Sequence, residues 1–407
     1  MSALDPRVRR AGISAPGPAY VYDLDRLRRR ALRLASLPIA RRRLFFATMA
    51  NDHPAVLACV RDAGVGVFVN SPAHLRRVLR VGFEPGQVVY AASNMLQREM
   101  RECVELGVNL VLDSVGQVRA LADAGAAGAE IGVRMNVGSA LDRGALRFDP
   151  GYRFGLLPSE LPEAVLAARR GGVRIIGAHS YFGTGVMRPR TLLDGLERLG
   201  EAASALPDLR YLDVGGGFGV PDALDDDEFD LEGWAAGADE AVRRLERRLG
   251  RELHLYVEPG RWLAADCGYF FVKVVDRKVR GDRAFVGTDG SVAQFPRPLL
   301  YPGQAVHPCE IADGAAGRSP HPQPVWVCGN STYSQDFLAR GIALPLPEPG
   351  ETLVFHYAGA YGRSMATRFL GKGPPRELFV RTRPGVPRAE ELSASAPDGV
   401  LVASAGD

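Results

Sequence analysis

Leu212-Asp213-Val214-Gly215-Gly216-Gly217-Phe218-Gly219 is a short apolar run that closes on a string of glycines. A glycine run after a strand lets backbone N–H groups close around a phosphate, because no Cβ blocks the approach. Tight turns use glycine as well, so the run alone leaves both readings open. Its surroundings narrow the choice. Apolar runs fall at 44–49, 66–70, 87–91, 109–112, 130–135, 174–179, 210–214 and 253–257. Amphipathic segments separate most of them, for example 72–81 and 235–249. Such alternation implies parallel strands buried on both faces. Eight runs in about 230 residues predict a (β/α)8 barrel of the TIM type. A doubly wound open sheet is the alternative. In a barrel, the glycines follow the seventh strand, where phosphate is commonly bound.

After residue 262 the texture changes. Val-rich runs at 269–277, 283–288, 324–328 and 352–357 are joined by Pro/Gly-rich loops. They predict an antiparallel β domain, which Ala19-Tyr20-Val21-Tyr22-Asp23 joins. The expected organisation is a barrel over 25–262 and a β domain from 1–24 plus 263–407. With 407 residues, 46% of them hydrophobic, the chain has ample core for two domains. Its 50 basic and 47 acidic residues leave a net charge of +3, which gives no reason to expect nucleic acid or an anionic membrane as a partner. The start, MSALDPRVRR, lacks an apolar h-region, and no run of about 18 apolar residues occurs. A soluble cytoplasmic protein is expected. Five scattered cysteines (Cys59, Cys103, Cys267, Cys309, Cys328) form no CxxC pair, so neither zinc nor a disulfide framework is expected. Asp225-Asp226-Asp227-Glu228 reads as a solvated loop before a helix N-terminus, with a cation site as the alternative. No metal is expected.

Barrel active sites gather where strands end. The predicted ends offer Met49-Ala50-Asn51, Asn70-Ser71, Ser93-Asn94, Asp113-Ser114, Arg134, His179-Ser180-Tyr181, Gly215-Gly216-Gly217 and Glu258. So many polar ends in register are hard to explain as core packing. In Glu258-Pro259-Gly260-Arg261, the carboxylate suits a ring N–H and Arg261 suits a phosphate. A structural Glu–Arg pair is the alternative. His356-Tyr357-Ala358-Gly359-Ala360-Tyr361-Gly362 sets Tyr361 between small residues, either as a phenol pointing into a site or as an aromatic packed beside a turn.

These segments resemble the alanine-racemase-type enzymes that use pyridoxal 5'-phosphate (PLP), in the diaminopimelate, ornithine and arginine decarboxylase branch. Arg153-Phe154-Gly155 and Pro18-Ala19-Tyr20-Val21-Tyr22-Asp23 add to the likeness, which runs from about residue 17 to 383 in the right order. The resemblance implies PLP as cofactor, with Gly215, Gly216, Gly217, Arg261 and Tyr361 on its phosphate. It implies Glu258 at the pyridine nitrogen and Arg134 beneath the ring. It also implies a head-to-tail homodimer with shared active sites, and a small-molecule ligand.

The departures from that family are concentrated at the reaction centre. Phe45-Phe46-Ala47-Thr48-Met49-Ala50-Asn51 resembles the run whose lysine holds PLP covalently, and Met49 stands at the lysine. Phe68 stands for an aspartate, and Tyr181 for the histidine that stacks on the ring. Thr184 stands for a phosphate-binding serine and keeps the hydroxyl. In Cys328-Gly329-Asn330-Ser331-Thr332-Tyr333-Ser334-Gln335-Asp336, which resembles a loop lent by the partner subunit, Thr332 replaces the proton-donating cysteine. Tyr301-Pro302 falls where the family has a Tyr-Asp pair. The only lysines are Lys273, Lys278 and Lys372, and none ends a barrel strand. Several changes in one pocket point to natural divergence rather than an engineered Lys→Met change. Lysine would speed entry of the substrate amine and act as acid and base; methionine does neither. The leading expectation is a diverged enzyme that binds PLP non-covalently, or takes an amino-acid-like or phosphorylated ligand. Its candidate groups are His179, Tyr181, Thr332, His53 and Asp336, with Asn51, Tyr333 and Tyr361 beside them; His53 reads as a general base or, equally, as a loop or capping histidine. The alternatives are a non-catalytic PLP-binding pseudoenzyme and a conventional amino-acid decarboxylase.

Overall fold

The computed structural model describes residues 4–140, 146–313 and 321–381. Two compact units divide the chain. One takes Arg30–Val220 and Glu228–Leu263; the other takes Met1–Arg29, Pro221–Asp227 and Ala264–Asp407. Residues 382–407, placed in the expected β domain, lie outside the described residues.

The first strand, β1 (Ala19–Asp23), belongs to the second unit. In the first unit, β2 (Arg42–Ala47), β3 (Gly66–Val69), β4 (Val88–Ala91), β5 (Asn109–Leu112), β6 (Glu130–Arg134), β7 (Arg174–His179), β8 (Tyr211–Asp213) and β9 (His254–Val257) pair in chain order. All are parallel, and β2 pairs with β9 to close the barrel. Each predicted apolar run lands on one strand, and closure excludes the open sheet.

The helices between strands start where the sequence supplies a cap. Ser71 accepts from the His74 N–H (3.2 Å) ahead of the helix Pro72–Val81, which stops at Gly82 with φ 94°. Ser114 accepts from the Gln117 N–H (3.2 Å) ahead of Val115–Asp123. His53 Nδ1 accepts from the Ala55 N–H (3.1 Å) ahead of Pro54–Asp62. Caps of this kind satisfy helix N–H groups that have no partner within the helix. Several polar strand ends therefore serve the next helix rather than a ligand.

Phe45, Ala47, Phe68, Val89, Ala91, Val111, Tyr211 and Tyr256 fill the barrel. Tyr211 and Tyr256 stack at 4.2 Å. Two glycines on neighbouring strands make room for Tyr211. A Cβ on Gly177 would lie 2.0 Å from its ring, and one on Gly132 would lie 2.2 Å from its hydroxyl.

The second unit holds an eight-stranded sheet. It is built from β1, β10 (Gly268–Arg280), β11 (Arg283–Thr288), β12 (Cys309–Ile311), β13 (Gln323–Cys328), β14 (Phe337–Leu344), β15 (Thr352–Phe355) and β16 (Arg376–Val380). The sheet is mixed, not purely antiparallel as expected. β1 runs parallel to β16, and β11 parallel to β13. Both pairs join strands distant in sequence, which leaves the long connection that a parallel pair needs. A core of Leu4, Val8, Val21, Tyr269, Phe271, Val354 and Val380 lies against this sheet. No helix among the described residues is long and apolar enough to cross a membrane.

Candidate functional site

Side chains alternate along a strand, so the residue two beyond each barrel-filling position returns to the interior face. That rule brings Met49, Ser93, Asp113, Arg134, His179, Asp213 and Glu258 to the carboxyl ends of the strands. Met49 is the apolar member of this set, and it packs against the barrel-filling cluster.

His179, Asp213 and Glu258 form a buried group whose ligand atoms all lie within 4.8 Å of one another. His179 Nε2 is 3.5 Å from Glu258 Oε2. Asp213 Oδ1 accepts from the Gly215 N–H (2.9 Å), and the Asp213 carboxyl also pairs with that of Glu258. Two carboxyls in hydrogen-bond contact need a proton between them. Burial supplies it: desolvation pushes Glu258 up to about 7 and Asp213 well above the usual carboxylate range. The Asp213 hydrogen bond and the Arg134 charge act on Glu258 in the opposite direction. Desolvation also pulls His179 down to about 4, so its imidazole is neutral near pH 7. His179 Nδ1, Asp213 Oδ2 and Glu258 Oε1 are buried and accept no hydrogen bond from a donor among the described residues. The same three donors match what a divalent cation takes. A shared proton on the carboxyls suits a ring nitrogen better, because a cation would have to displace it.

The glycine run lies beside this group. Gly215 (φ 61°) and Gly217 (φ 91°) adopt the left-handed backbone that favours glycine. A Cβ on Gly216 would stand 2.5 Å from the Glu258 carbonyl oxygen, and one on Gly217 2.3 Å from the Gly183 carbonyl oxygen. The Glu258 N–H donates to the Gly215 carbonyl (2.7 Å). The glycine turn and the buried carboxyl of Glu258 thus lie next to each other. Arg261 is buried. Tyr181 packs along the cradle, with Thr184 hydrogen-bonded to its phenol.

Arg134 Nε lies 4.0 Å from Asp113 Oδ1, and its guanidinium sits 4.4 Å from the Phe154 ring. Asp113 also accepts from Ser93 (2.6 Å) and from the Gly155 N–H (3.0 Å). It fixes the Arg153-Phe154-Gly155 turn beside a cavity of about 350 Å³, lined in part by Ser93, Asn94, Ser114 and Glu160. Phe68 lies nearly parallel to His179, 6.3 Å between centroids and 13° between planes. Met49 and Phe68 give this side of the mouth an apolar floor.

Other expected site residues fall elsewhere. His53 caps a helix, and the lone pair that accepts the Ala55 N–H is the one a general base needs. His74, absent from the expectations, lies between Thr48 Oγ1 (3.1 Å), Asn70 Oδ1 (3.1 Å) and Asp52 Oδ2 (3.5 Å). Asn51 is buried and accepts from the His53 N–H (3.0 Å). In the second unit, Asp336 is buried and its carboxylate accepts from the Val292 N–H (2.8 Å), Ser291 (3.3 Å) and Ser331 (2.5 Å). That set organises a loop and leaves Asp336 poorly placed to move a proton. Thr332 is exposed, and Tyr333 meets Phe369 edge-on at 5.4 Å. Tyr361 has φ 56°, a conformation uncommon for a non-glycine residue. Asp213 was within the quoted glycine motif, yet no role was expected of it. A carboxylate inside a buried strand is the signal that marks it.

Residues 24–265 match the pyridoxal-dependent decarboxylase family over its pyridoxal binding domain. The chain belongs to that family. The diaminopimelate decarboxylase of Deinococcus radiodurans is 31% identical over 89% of this chain and 89% of its own length. That of Methanothermobacter thermautotrophicus is 29% identical over 89% of this chain and 86% of its own. Among solved structures, the Helicobacter pylori diaminopimelate decarboxylase complexed with L-lysine superposes with a TM-score of 0.80 at 23% identity, over 90% of this chain and 92% of its own. Lysine/ornithine decarboxylase of Vibrio vulnificus shares the fold with a TM-score of 0.78 at 19% identity, over 93% and 99%. PLP is the cofactor of this family, and the cradle and the Glu258 group fit it.

Proposed function

We propose that this chain binds PLP, or PLP joined to an amino-acid-like ligand, at the barrel mouth without a covalent link. We further propose that it is an enzyme whose chemistry has diverged from amino-acid decarboxylation. The carrying observation is that no lysine occurs between Arg30 and Leu263, while Met49 packs on the apolar interior where the family resemblance places the amine. Lys273, Lys278 and Lys372 belong to the other unit, and Lys372 Nζ lies 3.4 Å from the Asn330 carbonyl. In this reading Gly215, Gly216, Gly217, Thr184 and Arg261 take the phosphate. Arg134 lies beneath the ring.

PLP, when bound, supplies an electron sink for a bond broken at the α-carbon of an amino acid. Glu258 holds the proton that the pyridine nitrogen needs, and Asp213 and His179 keep that carboxyl buried and fixed. Phe68 and Met49 exclude water from one side of the mouth. A homodimer with shared sites, to which the loop Cys328–Asp336 contributes Thr332, belongs to the same proposal.

Conventional decarboxylation is the second reading, favoured by the length over which diaminopimelate decarboxylases match. An absorption spectrum and native mass, with and without added PLP and borohydride, separate the two. Retained PLP that borohydride does not fix to the chain is expected. A borohydride-fixed adduct together with release of CO₂ from diaminopimelate would sink the proposal. Retained PLP with no turnover of any amino acid would leave a binding protein.

A further inference from the structure

The family resemblance sets a ring-stacking histidine where this chain has Tyr181, and the local geometry gives the tyrosine different work. A Cβ built on Gly215 lies 3.2 Å from Tyr181 Cδ2, and one built on Gly217 lies 3.8 Å from Tyr181 Cε2. One edge of the ring therefore runs along the glycine cradle. The phenol end reaches the Thr184 hydroxyl, within range of the Arg134 and Arg261 charges. Two guanidinium groups, a hydroxyl and a glycine turn are what attract a phosphate dianion.

We infer that the Tyr181 phenol is a phosphate ligand, an O–H donor that completes the cradle rather than a proton-transfer or ring-stacking group. The inference rests on the proposed cofactor reading and extends it. Burial pushes the phenol above its ordinary value, so it keeps its proton at neutral pH. The phenol and the Thr184 hydroxyl are neighbours, and each has one hydrogen to give to an acceptor in the cradle. A chain without a covalent anchor holds PLP by contacts alone, and a charge-assisted hydrogen bond to the phosphate strengthens them.

The test compares the full chain with Tyr181→Phe, which keeps the ring against the glycines and removes only the hydroxyl. PLP, pyridoxal and inorganic phosphate are titrated calorimetrically into each, with thermal melting to confirm equal folding. Tyr181→Phe is expected to weaken PLP and phosphate about tenfold and to leave pyridoxal unchanged. Thr184→Val is expected to act in the same direction, and the double variant by less than the sum. Equal or tighter phosphate binding by Tyr181→Phe overturns the inference while PLP binding by the wild type still stands. Phosphate that binds and responds where PLP does not bind keeps Tyr181 as an anion ligand and sinks the cofactor reading. A wild type that binds neither removes both.

Discussion

Replacing Glu258 by glutamine is expected to stabilise the ligand-free protein at alkaline pH and to leave it unchanged near pH 4.5. Glu258 is buried beside Asp213, His179 and Arg134, and its carboxyl is raised from 4.5 to about 7. A carboxyl raised on folding favours the folded state least at high pH. Below 4.5 both states hold the proton. Between 4.5 and about 7 the unfolded chain ionises and the folded chain does not, so stability falls as pH rises. At 1.36 kcal/mol per pH unit that interval costs about 3 kcal/mol by pH 8. His179 has the opposite slope. Held down to about 4, it loses stability as pH falls below 6.5, because only the unfolded chain takes up the proton there. These slopes oppose each other in the wild type; Asp213, raised by burial, shares the sign of Glu258, so Glu258→Gln removes one of the two acids that offset His179. Calorimetric melting from pH 4.5 to 8 should show the variant gaining roughly 3–4 °C over the wild type at the top of the range. PLP affinity should fall in the same variant, since the amide has no proton to give a ring nitrogen. A melting difference independent of pH, or a variant less stable at pH 8, would refute the buried-acid reasoning.

Four other outcomes are expected. Gly217→Ala should cost more than about 2 kcal/mol and abolish phosphate binding, because its Cβ would meet the Gly183 carbonyl at a positive φ. Gly107→Ala, at φ 77° but with nothing within 4 Å, should cost about 1 kcal/mol and leave phosphate titrations unchanged. Met49→Lys should allow some borohydride-fixed PLP without family-level CO₂ release from diaminopimelate, as Phe68 and Thr332 still depart from the family pattern; full release in a CO₂ assay would show that position 49 alone matters. Asp336→Ala should lower stability by about 2–4 kcal/mol in denaturant melts, because it strands the buried Val292 N–H and two hydroxyls; an unchanged midpoint would mean the loop does not depend on it.

The barrel was legible because each strand carries an apolar run and most of the following helices open with a cap or a proline. Those are local signals, written within ten residues of where they act. β12, β14 and β16 were not legible. β14 is interrupted at Gly341 (φ 63°) and alternates burial irregularly, and β12 is three residues long. The parallel pairing of β1 with β16 is set by contacts between the two ends of the chain, which no local pattern records. At the site, the glycine run announced the cradle, because its backbone demand is visible residue by residue. The pairing of Asp213 with Glu258 joins two strands and depends on burial, so neither residue alone discloses the shared proton. His53 takes the capping role that its sequence reading held open beside that of a general base, and Asp336 serves backbone and hydroxyl donors, because a polar residue at a strand end or in a loop suits backbone N–H groups as well as a substrate.

On the proposed reading of a diverged site, Met49 and Phe68 make physical sense as a pair of changes. In the family pattern a cationic amine and a carboxylate balance each other in a dry barrel. Loss of the amine alone would leave a buried charge without a partner, at a cost of several kcal/mol. Phe68 removes that charge and joins Met49 against the same apolar cluster. The opposite wall follows different logic. There Asp213 and Glu258 remain two carboxyls, with the cation Arg134 acting on Glu258, a combination that burial makes expensive unless a ligand uses the proton they share. A barrel shedding its ligand altogether would gain stability by discarding these acids as it discarded the amine. Their retention beside an unaltered glycine cradle is the strongest argument that something with a phosphate and a ring nitrogen still binds here.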